Sequence, residues 1–485
     1  MFRAEGGGTI SALADAIADA LSRPAEQGSA PRGGLDRRRL SALPVAAQAV
    51  SVVAPSPGMM NAAAMTAAVG AAAVPVIGLA TLAMALVGLV VAQFARRIAA
   101  AGSLYTYVSK GLGPVAGFLT GCALIAAYGS LVAMCLLGAG RRVVGFLTAA
   151  GVVPAPQGSG PALLATALLG TAMTAIVVRG IRVSAGLTLL LEAASVLAVL
   201  TALVLGAVRG TATTAGPSTM DAALFTAALM TAVKALVGFE SGCALSVEAR
   251  KPFSVVPRVV FWTPVGCGAL FALAALLALV GDARPAAPPL PFLPALVQLG
   301  LASSLFACAM GANNAVVRVL FSMGREGVAP RALGRAHVRY RTPYVAAGAM
   351  VPFAVGLPLL LWTLGRPSAR VSEWLGLLAV LAFLTAYLLV SLAAAPFLRR
   401  IGEHTAGATA VAVLASAVLA GALALIAHAS LYDGRGGVVA ALAALLAAGL
   451  LWLLRLRRRT PHRVRAIGYF DEPTPDDLLH PHRTE

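Results

Sequence analysis

The chain has 485 residues, of which 59% are hydrophobic and only 12% are charged. Soluble domains carry about 25% charged residues, and no soluble protein of this size could hide so much apolar surface from water. The composition therefore predicts an integral membrane protein with several spans, and it excludes a soluble enzyme or a soluble binding module.

The net charge of +18 raises the question of a nucleic-acid partner. The basic residues cluster at the ends of apolar runs, as in Arg37–Arg39, Arg96-Arg97, Arg399-Arg400 and Arg457–Arg459. This is the positive-inside pattern of membrane proteins, whereas a nucleic-acid-binding protein concentrates its charge on one soluble domain. We therefore expect the lipid bilayer as a partner and no nucleic acid.

The spans follow one another from Leu43 onwards, and residues 1–42 are predicted to be a cytoplasmic N-terminal tail. A requirement of about 20 residues per crossing gives twelve spans. They lie at 43–68, 72–95, 114–138, 161–178, 183–207, 221–249, 256–280, 292–322, 343–364, 372–398, 406–429 and 436–456. Residues 457–485 form a second predicted tail, whose acidic segment Asp471–Asp477 is typical of disorder.

The distribution of basic residues predicts the orientation of these spans. With the N-terminus inside, Lys and Arg on the inner side outnumber those of the outer loops by about four to one, so we expect both termini in the cytoplasm of a multi-pass cell-membrane protein. Spans 1–5 and 6–10 are two successive sets of odd number, and the second set is therefore inverted. We predict an all-α fold with a ten-helix inverted-repeat core over 43–398 and two additional helices over 399–456.

Two spans contain sequences that interrupt a helix. Span one has Val53-Ala54-Pro55-Ser56-Pro57-Gly58, and span six has Gly238–Gly242. Proline removes a backbone donor and clashes with the preceding turn, and glycine leaves helical geometry at low cost. Either interruption alone would also fit a structural kink. Interruptions at matching positions of two inverted halves, however, indicate a transporter binding site.

Three motifs carry a resemblance to a known family. They are Ala101–Val108 with Leu112–Pro114 after span two, Gly238–Ser241 with Glu248–Pro252 in and after span six, and Asn314–Leu320 with Gly324–Gly327 at the end of span eight. On these motifs the chain resembles the amino acid–polyamine–organocation permeases over roughly residues 40–400. The resemblance implies alternating access driven by an ion gradient, and an amino acid held between spans one and six.

The resemblance also implies roles for individual residues. The backbone of Ser56, Pro57 and Gly58 would hold the substrate carboxylate, and the backbone of Gly238 and Phe239 would hold the amine, with the Phe239 ring covering the site. The family commonly has a Gly-x-Gly stretch in span one. Proline supplies no N–H, so part of the usual carboxylate cradle is missing, and a substrate other than a standard α-amino acid stays open.

Ionisable residues inside spans are costly and usually functional. Glu192 lies near the middle of span five, where its carboxyl could exchange a proton in each transport cycle or could be a hydrogen-bonded structural group. Lys234 precedes Gly238 by one turn and could pair with Glu192 or Glu240, or favour anionic substrates. Glu240 and Ser241 are candidates for contact with the substrate, and Glu240 could equally tie span six to a neighbour.

The sequence contains no constellation for catalysis, and no cofactor or metal ligand set is expected. The P-loop, H-E-x-x-H and G-x-S-x-G motifs do not occur, and the five cysteines lie in apolar segments without C-x-x-C spacing. We therefore predict a proton-coupled secondary transporter for an amino acid or related amine, not an enzyme. The alternatives are a polyamine or organic-cation carrier of the same fold, and a membrane sensor or scaffold that does not transport.

Overall fold

The computed structural model describes Leu35 and residues 37–154, 158–209, 221–281 and 292–469. Most of the predicted N-terminal tail lies outside these residues, and so does the acidic segment Asp471–Asp477. The described chain consists of helices joined by loops, and its one extended pairing is a parallel bridge between Leu40 and Ala249. The predicted all-α architecture is confirmed.

The α-helices are numbered here in chain order. They are α1 (Ala42–Val53), α2 (Pro55–Val69), α3 (Ala73–Ala95), α4 (Leu104–Leu112), α5 (Pro114–Ala149), α6 (Gly160–Arg179), α7 (Ile181–Arg209), α8 (Ala222–Leu236), α9 (Pro252–Val280), α10 (Leu293–Arg325), α11 (Tyr344–Val351), α12 (Leu357–Thr363), α13 (Ser368–Arg400), α14 (Ala406–Tyr432), α15 (Gly436–Arg459) and α16 (Pro461–Arg465).

Eleven helical segments of the described chain are long and apolar enough to cross a membrane. The first, Ala42–Ala95, has 54 residues, whereas about 20 residues cross a hydrocarbon core about 30 Å thick. It comprises α1 to α3 and turns at Gly70, whose φ of 59° starts a three-residue 3₁₀ turn before α3. This segment therefore holds the first two spans, and all twelve predicted spans are accounted for.

The first span is interrupted at Ala54, within the expected stretch Val53–Gly58. Ala54 has left-handed backbone angles of 53° and 73°, a conformation that costs a non-glycine residue about 1–3 kcal/mol. Pro55 and Pro57 then lie in the first turn of α2, where a missing N–H disrupts no helical bond. The prolines thus begin a new helix, and Gly58 is helical, because its N–H donates to the Ala54 carbonyl over 3.1 Å.

The sixth span is interrupted immediately after α8. Val237 is extended and Gly238 has a φ of 93°, a value that favours glycine. The chain continues as a seven-residue 3₁₀ helix, Phe239–Leu245, which is long for this geometry. The interruption thus lies at Val237-Gly238, and Gly242 belongs to the 3₁₀ helix rather than to unwound chain.

The third span differs from its predicted extent, and the ninth differs in its internal geometry. The third span was expected to end at residue 138, but α5 continues to Ala149 and includes Arg141 and Arg142. The ninth span contains a π-helical turn, Pro352–Gly356, between α11 and α12. A proline at the start of this turn explains the widening, because it cannot donate to the preceding turn.

The helices are packed around α5 and α13, which are the most buried spans, whereas α14 and α15 are mostly exposed. Small residues permit the close approach of neighbouring backbones, as is usual in membrane bundles. A Cβ added at Gly140 of α5 would collide with the Ala162 carbonyl of α6, for example. The two C-terminal helices therefore cover the outside of the bundle rather than its centre.

A buried ion pair joins α10 to the segment after the 3₁₀ helix. The Nη2 and Nε atoms of Arg318 lie 2.7 and 2.9 Å from one carboxylate oxygen of Glu248, and the two side chains are 2% and 1% exposed. Nη1 of Arg318 donates to the Asn314 carbonyl over 2.9 Å. Removing one partner of such a pair is strongly destabilising, because the other charge is left buried without compensation.

We expect the substitution Arg318→Met to lower the apparent melting temperature of the purified protein more than the double substitution Glu248→Gln/Arg318→Met does. The single change leaves a buried carboxylate without its main counterion, which typically costs about 3–5 kcal/mol. The measurement is thermal unfolding in detergent, with Glu403→Gln as the control because that carboxylate forms an exposed pair with Arg97. Equal melting temperatures for the single and double variants would contradict the expectation.

Candidate functional site

The two helix interruptions lie against each other. A Cβ added at Gly238 would overlap the side chain of Val52, and one added at Gly242 would lie 3.4 Å from Cβ of Ala49. Ser241 donates a hydrogen bond of 3.2 Å to the carbonyl of Gln48. The 3₁₀ helix is therefore packed along α1, and the structure brings the two predicted halves of the site together.

Glu240 is held by two tyrosines from different spans. Its Oε1 accepts a hydrogen bond of 2.6 Å from the Tyr128 hydroxyl of α5, and its Oε2 accepts one from the Tyr387 hydroxyl of α13. The Tyr387 hydroxyl in turn accepts the N–H of Gly238 over 2.8 Å. Glu240 and Gly238 are thus parts of one network, and the carboxylate keeps acceptor capacity, because it has about four lone-pair sites.

Aromatic rings enclose this network. Phe239 is fully buried, and its ring centroid lies 5.5 Å from that of Tyr387. Phe383 packs edge-on against Tyr128, with 5.0 Å between centroids, and lies 5.9 Å from Tyr387. The ring of Phe239 therefore packs beside Tyr387, and the Glu240 side chain is fully enclosed in the conformation described here.

The N-terminus of α2 has fewer free backbone N–H groups than the resemblance implies. Pro55 and Pro57 have no N–H, and the N–H of Gly58 is bonded to Ala54, which leaves Ser56 as the one unbonded backbone donor among the first four residues of α2. The ring of Phe271 in α9 also lies directly against Gly58. In this conformation the predicted carboxylate cradle is reduced to Ser56.

Ser56 is linked to α7 and α10 through a second serine. The hydroxyls of Ser56 and Ser195 are 2.6 Å apart, and the Ser195 hydroxyl is 2.6 Å from the Gly300 carbonyl. Glu192 lies one turn before Ser195 on α7, and the Ser304 hydroxyl donates to its carboxylate at 2.8–3.0 Å. Glu192 is therefore buried beside the first interruption, at the contact of α7 with α10.

Lys234 does not pair with either predicted acid. In the part of the chain that the structure describes, no ion pair joins Lys234 to Glu192 or Glu240. Its ammonium instead packs on Gly376 of α13, with Met134 of α5 nearby. Lys234 lies on the side of α8 that faces α13, whereas Glu192 faces α10 and Glu240 is bonded to the two tyrosines.

Several neighbours of the site were not predicted from the sequence, namely Tyr128, Ser195, Ser304 and Tyr387. Their common signal is a hydroxyl within an apolar span. This signal is weak, because most hydroxyls in membrane helices donate to the carbonyl of the preceding turn, as Thr81 and Thr120 do. Only the packing of the spans distinguishes the two kinds of residue.

The site has more acceptors than donors. The C-terminal ends of α1 and α8 both meet at the interruptions, and each helix end carries carbonyls without helical partners and a partial negative charge. The Glu240 carboxylate adds to this. The donors are fewer, namely the Ser56 N–H of α2 and the N–H groups of Phe239 and Glu240, which begin the 3₁₀ helix and have no backbone acceptor in the preceding turn. A positively charged group, such as a substrate ammonium, is therefore better matched to the site than a carboxylate.

Comparison with known proteins places the chain among transporters. The amino acid permease family model matches residues 58–434. The chain is 25% identical over 315 residues to the low-affinity putrescine importer PlaP of Escherichia coli (strain K12), covering 59% of this chain and 67% of the relative. It is 23% identical over 296 residues to the branched-chain amino acid permease BcaP of Bacillus subtilis (strain 168), covering 55% and 63%.

A solved structure has the same fold. The crystal structure of a mutant of the manganese transporter from Eremococcus coleocola superposes with a TM-score of 0.52 over 88% of this chain and 94% of that one. The two sequences are 12% identical, so the similarity concerns the fold alone. Among the described residues, no group of three His, Cys, Asp or Glu side chains is placed to hold a metal ion.

We expect Gly238→Ala to destabilise the protein strongly. The added methyl group would overlap Val52, and the positive φ would cost an alanine about 1–3 kcal/mol. The melting temperature of the purified variant checks this expectation, with Gly266→Ala as the control, because Gly266 lies inside α9 with open space around it. If the two variants have equal melting temperatures, the conformation assigned to Gly238 is wrong.

The tyrosine network predicts an order of effects. Tyr387→Phe removes two hydrogen bonds, to Glu240 and from Gly238, whereas Tyr128→Phe removes one. A hydrogen bond to a charged group contributes about 1.5–3 kcal/mol, so Tyr387→Phe should lower the melting temperature more. The opposite order, or equal effects, would show that Tyr387 does not bridge the two groups.

Proposed function

Because the chain belongs to the amino acid permease family, we propose that it is a secondary active transporter that moves an amine across the cell membrane by alternating access. Family membership makes the chain a membrane transporter of small molecules and not an enzyme. The observation that carries the substrate proposal is the excess of acceptors over donors where α1, α2 and α8 meet.

The substrate that this balance favours is an organic amine without an α-carboxylate. Its ammonium would lie near Glu240, between the carbonyl ends of α1 and α8, with Gly238, Phe239 and Ser241 around it. The putrescine importer among the relatives supports an amine of this kind. The branched-chain permease supports the second candidate, an α-amino acid, whose carboxylate would bind the N–H and hydroxyl of Ser56 next to Pro57 and Gly58.

Proton coupling is proposed through Glu192. A carboxyl group buried beside the first interruption can respond to its opening, because its hydration would change when α1 and α10 separate. Ser304 bonds the carboxylate, and Ser195 connects the same turn of α7 to Ser56. Lys234 has no such connection, and we assign it to the contact of α8 with α13 rather than to coupling.

Orientation and domain organisation follow from the charge distribution. We propose that the face carrying Arg38, Arg97 and Arg400, called the basic face below, is cytoplasmic, in accordance with the positive-inside rule. Both termini would then be cytoplasmic. Residues 43–398 would form the ten-helix transport core, with α14 and α15 as additional helices on its outside.

Transport by purified protein in proteoliposomes tests the substrate proposal. We expect putrescine and the monoamine derived from leucine to exchange with internal putrescine, and leucine itself to compete poorly. Glu240→Gln should abolish exchange, while Glu403→Gln should leave it unchanged. Competition by carboxylate-bearing compounds alone would favour an α-amino acid, and the absence of any exchange would favour a sensor or scaffold.

Proton coupling has a separate expected outcome. In the same liposomes Glu192→Gln should retain exchange of substrate at equal pH but lose accumulation driven by a pH gradient, because a neutral amide cannot carry a proton through the cycle. The measurement is the ratio of internal to external substrate with and without the gradient. Undiminished accumulation by a folded Glu192→Gln protein would remove Glu192 from the coupling mechanism.

A further inference from the structure

The chain packs against the basic face after its last span. The indole N–H of Trp452 in α15 donates to the Val328 carbonyl over 2.9 Å, which fixes α15 to the loop after α10. The short helix α16 follows, and Val464 and Ile467 are buried in the apolar core of the protein. Residues 461–469, called the C-terminal latch below, are therefore part of the packed bundle.

The C-terminal latch contacts two parts of the chain that are far apart in sequence. The N–H of Gly468 donates to Oε1 of Glu326, the residue that follows α10, over 2.8 Å. Oε2 of the same carboxylate accepts a hydrogen bond from the Tyr105 hydroxyl of α4. The ring of Tyr469 lies under the ammonium of Lys110, also in α4, at 3.6 Å from the ring centroid. The latch thus connects α4 to the end of α10.

α4 and the residues just before it cover the end of span six. Cys243 of the 3₁₀ helix is fully buried beside Tyr107 of α4. The Ser246 hydroxyl, one residue beyond that helix, accepts the Ala100 N–H over 2.8 Å and donates to the Ala100 carbonyl over 3.0 Å. These contacts enclose the part of span six that continues from Glu240 towards the basic face.

Movement of α4 away from span six would break contacts of the C-terminal latch. A Cβ added at Gly468 would overlap the hydroxyl of Ser109 in α4, so the latch backbone lies directly on this helix. The latch and α4 also share the Glu326 carboxylate. Because Glu240 is fully enclosed, a passage from it to the basic face requires α4 and the end of span six to separate, and the docked latch opposes that separation.

We propose that the C-terminal latch is an autoinhibitory contact that holds α4 against span six and keeps the basic face closed. A contact that is present in only one of two conformations shifts their populations by the free energy of that contact. Undocking of residues 461–469 therefore raises the fraction of molecules that are open on the basic face. This role goes beyond the proposed transport activity and does not depend on which substrate is transported.

The native thiol of Cys243 reports this opening without any substrate, because α4 covers it. The full-length protein is treated with N-ethylmaleimide in phosphatidylcholine liposomes, and the rate of labelling at each cysteine is measured by mass spectrometry of the digested protein. Cys267 in α9 and Cys308 in α10 are also buried. Their labelling in the same samples measures general unfolding rather than opening of the basic face.

Two substitutions weaken the C-terminal latch in different ways. Gly468→Ala adds a methyl group against Ser109 at a residue with a φ of 83°, and Ile467→Ser removes a buried apolar side chain. The control is Gly402→Ala, because Gly402 has a φ of 74° and an added Cβ would have no neighbour within 4 Å. It imposes the same kind of backbone strain outside the latch.

We expect Gly468→Ala and Ile467→Ser each to speed the labelling of Cys243 by about fivefold, because the net loss of one hydrogen bond or a similar contact shifts an opening equilibrium by about that factor. Labelling of Cys267 and Cys308 should keep the rate of the parent protein. Gly402→Ala should leave all three rates unchanged.

Three results would overturn the proposal. The first is an unchanged rate of Cys243 labelling in both latch variants. The second is an equal acceleration at Cys243, Cys267 and Cys308, which would show that the latch supports the fold as a whole. The third is the same acceleration in Gly402→Ala. None of these results depends on putrescine exchange, so failure of the proposed transport activity would be recognised separately.

Discussion

The structure depends on one constraint, which is that backbone groups released by a broken helix inside a membrane need partners from the protein. At the first interruption the Cys308 thiol donates to the Val52 carbonyl at 3.2 Å, and the Ala54 N–H donates to Ser51. At the second, the Tyr387 hydroxyl accepts the Gly238 N–H. The backbone groups left without partners are mostly carbonyls. Because carbonyls are acceptors, the site is better suited to a positively charged group than to a carboxylate.

The same partners connect the site to the rest of the bundle. Tyr128 and Tyr387 join α5 and α13, the two most buried spans, to the interrupted sixth span through Glu240. Ser195 and Ser304 join the first interruption to α7 and α10. A change at either interruption therefore alters contacts with the surrounding spans, which is what coupling between binding and alternating access requires.

Local sequence was sufficient for the features that depend on local chemistry. Hydropathy located the twelve spans, and the proline and glycine clusters located both interruptions to within a few residues. The left-handed backbone conformation of Ala54 was not predicted, because alanine has no preference for that conformation. The partners of Glu240, and the packing of Lys234 on Gly376 rather than beside Glu192 or Glu240, depend on which helix faces which. Apolar spans of similar composition carry little information about that, so Tyr128 and Tyr387 emerged only from the packing.

The 3₁₀ helix Phe239–Leu245 is also longer than an α-helix of the same seven residues would be. A 3₁₀ helix rises about 2.0 Å per residue and an α-helix about 1.5 Å, so these seven residues span roughly 3.5 Å more than they would as a continuation of α8. They also contain roughly 0.4 of a turn of extra winding, because a 3₁₀ helix has 3.0 residues per turn and an α-helix has 3.6. Rewinding would shorten the link between Gly238 and Glu248 and rotate Glu240 away from its tyrosines. Shortening, rotation and the loss of two hydrogen bonds would therefore occur in one movement.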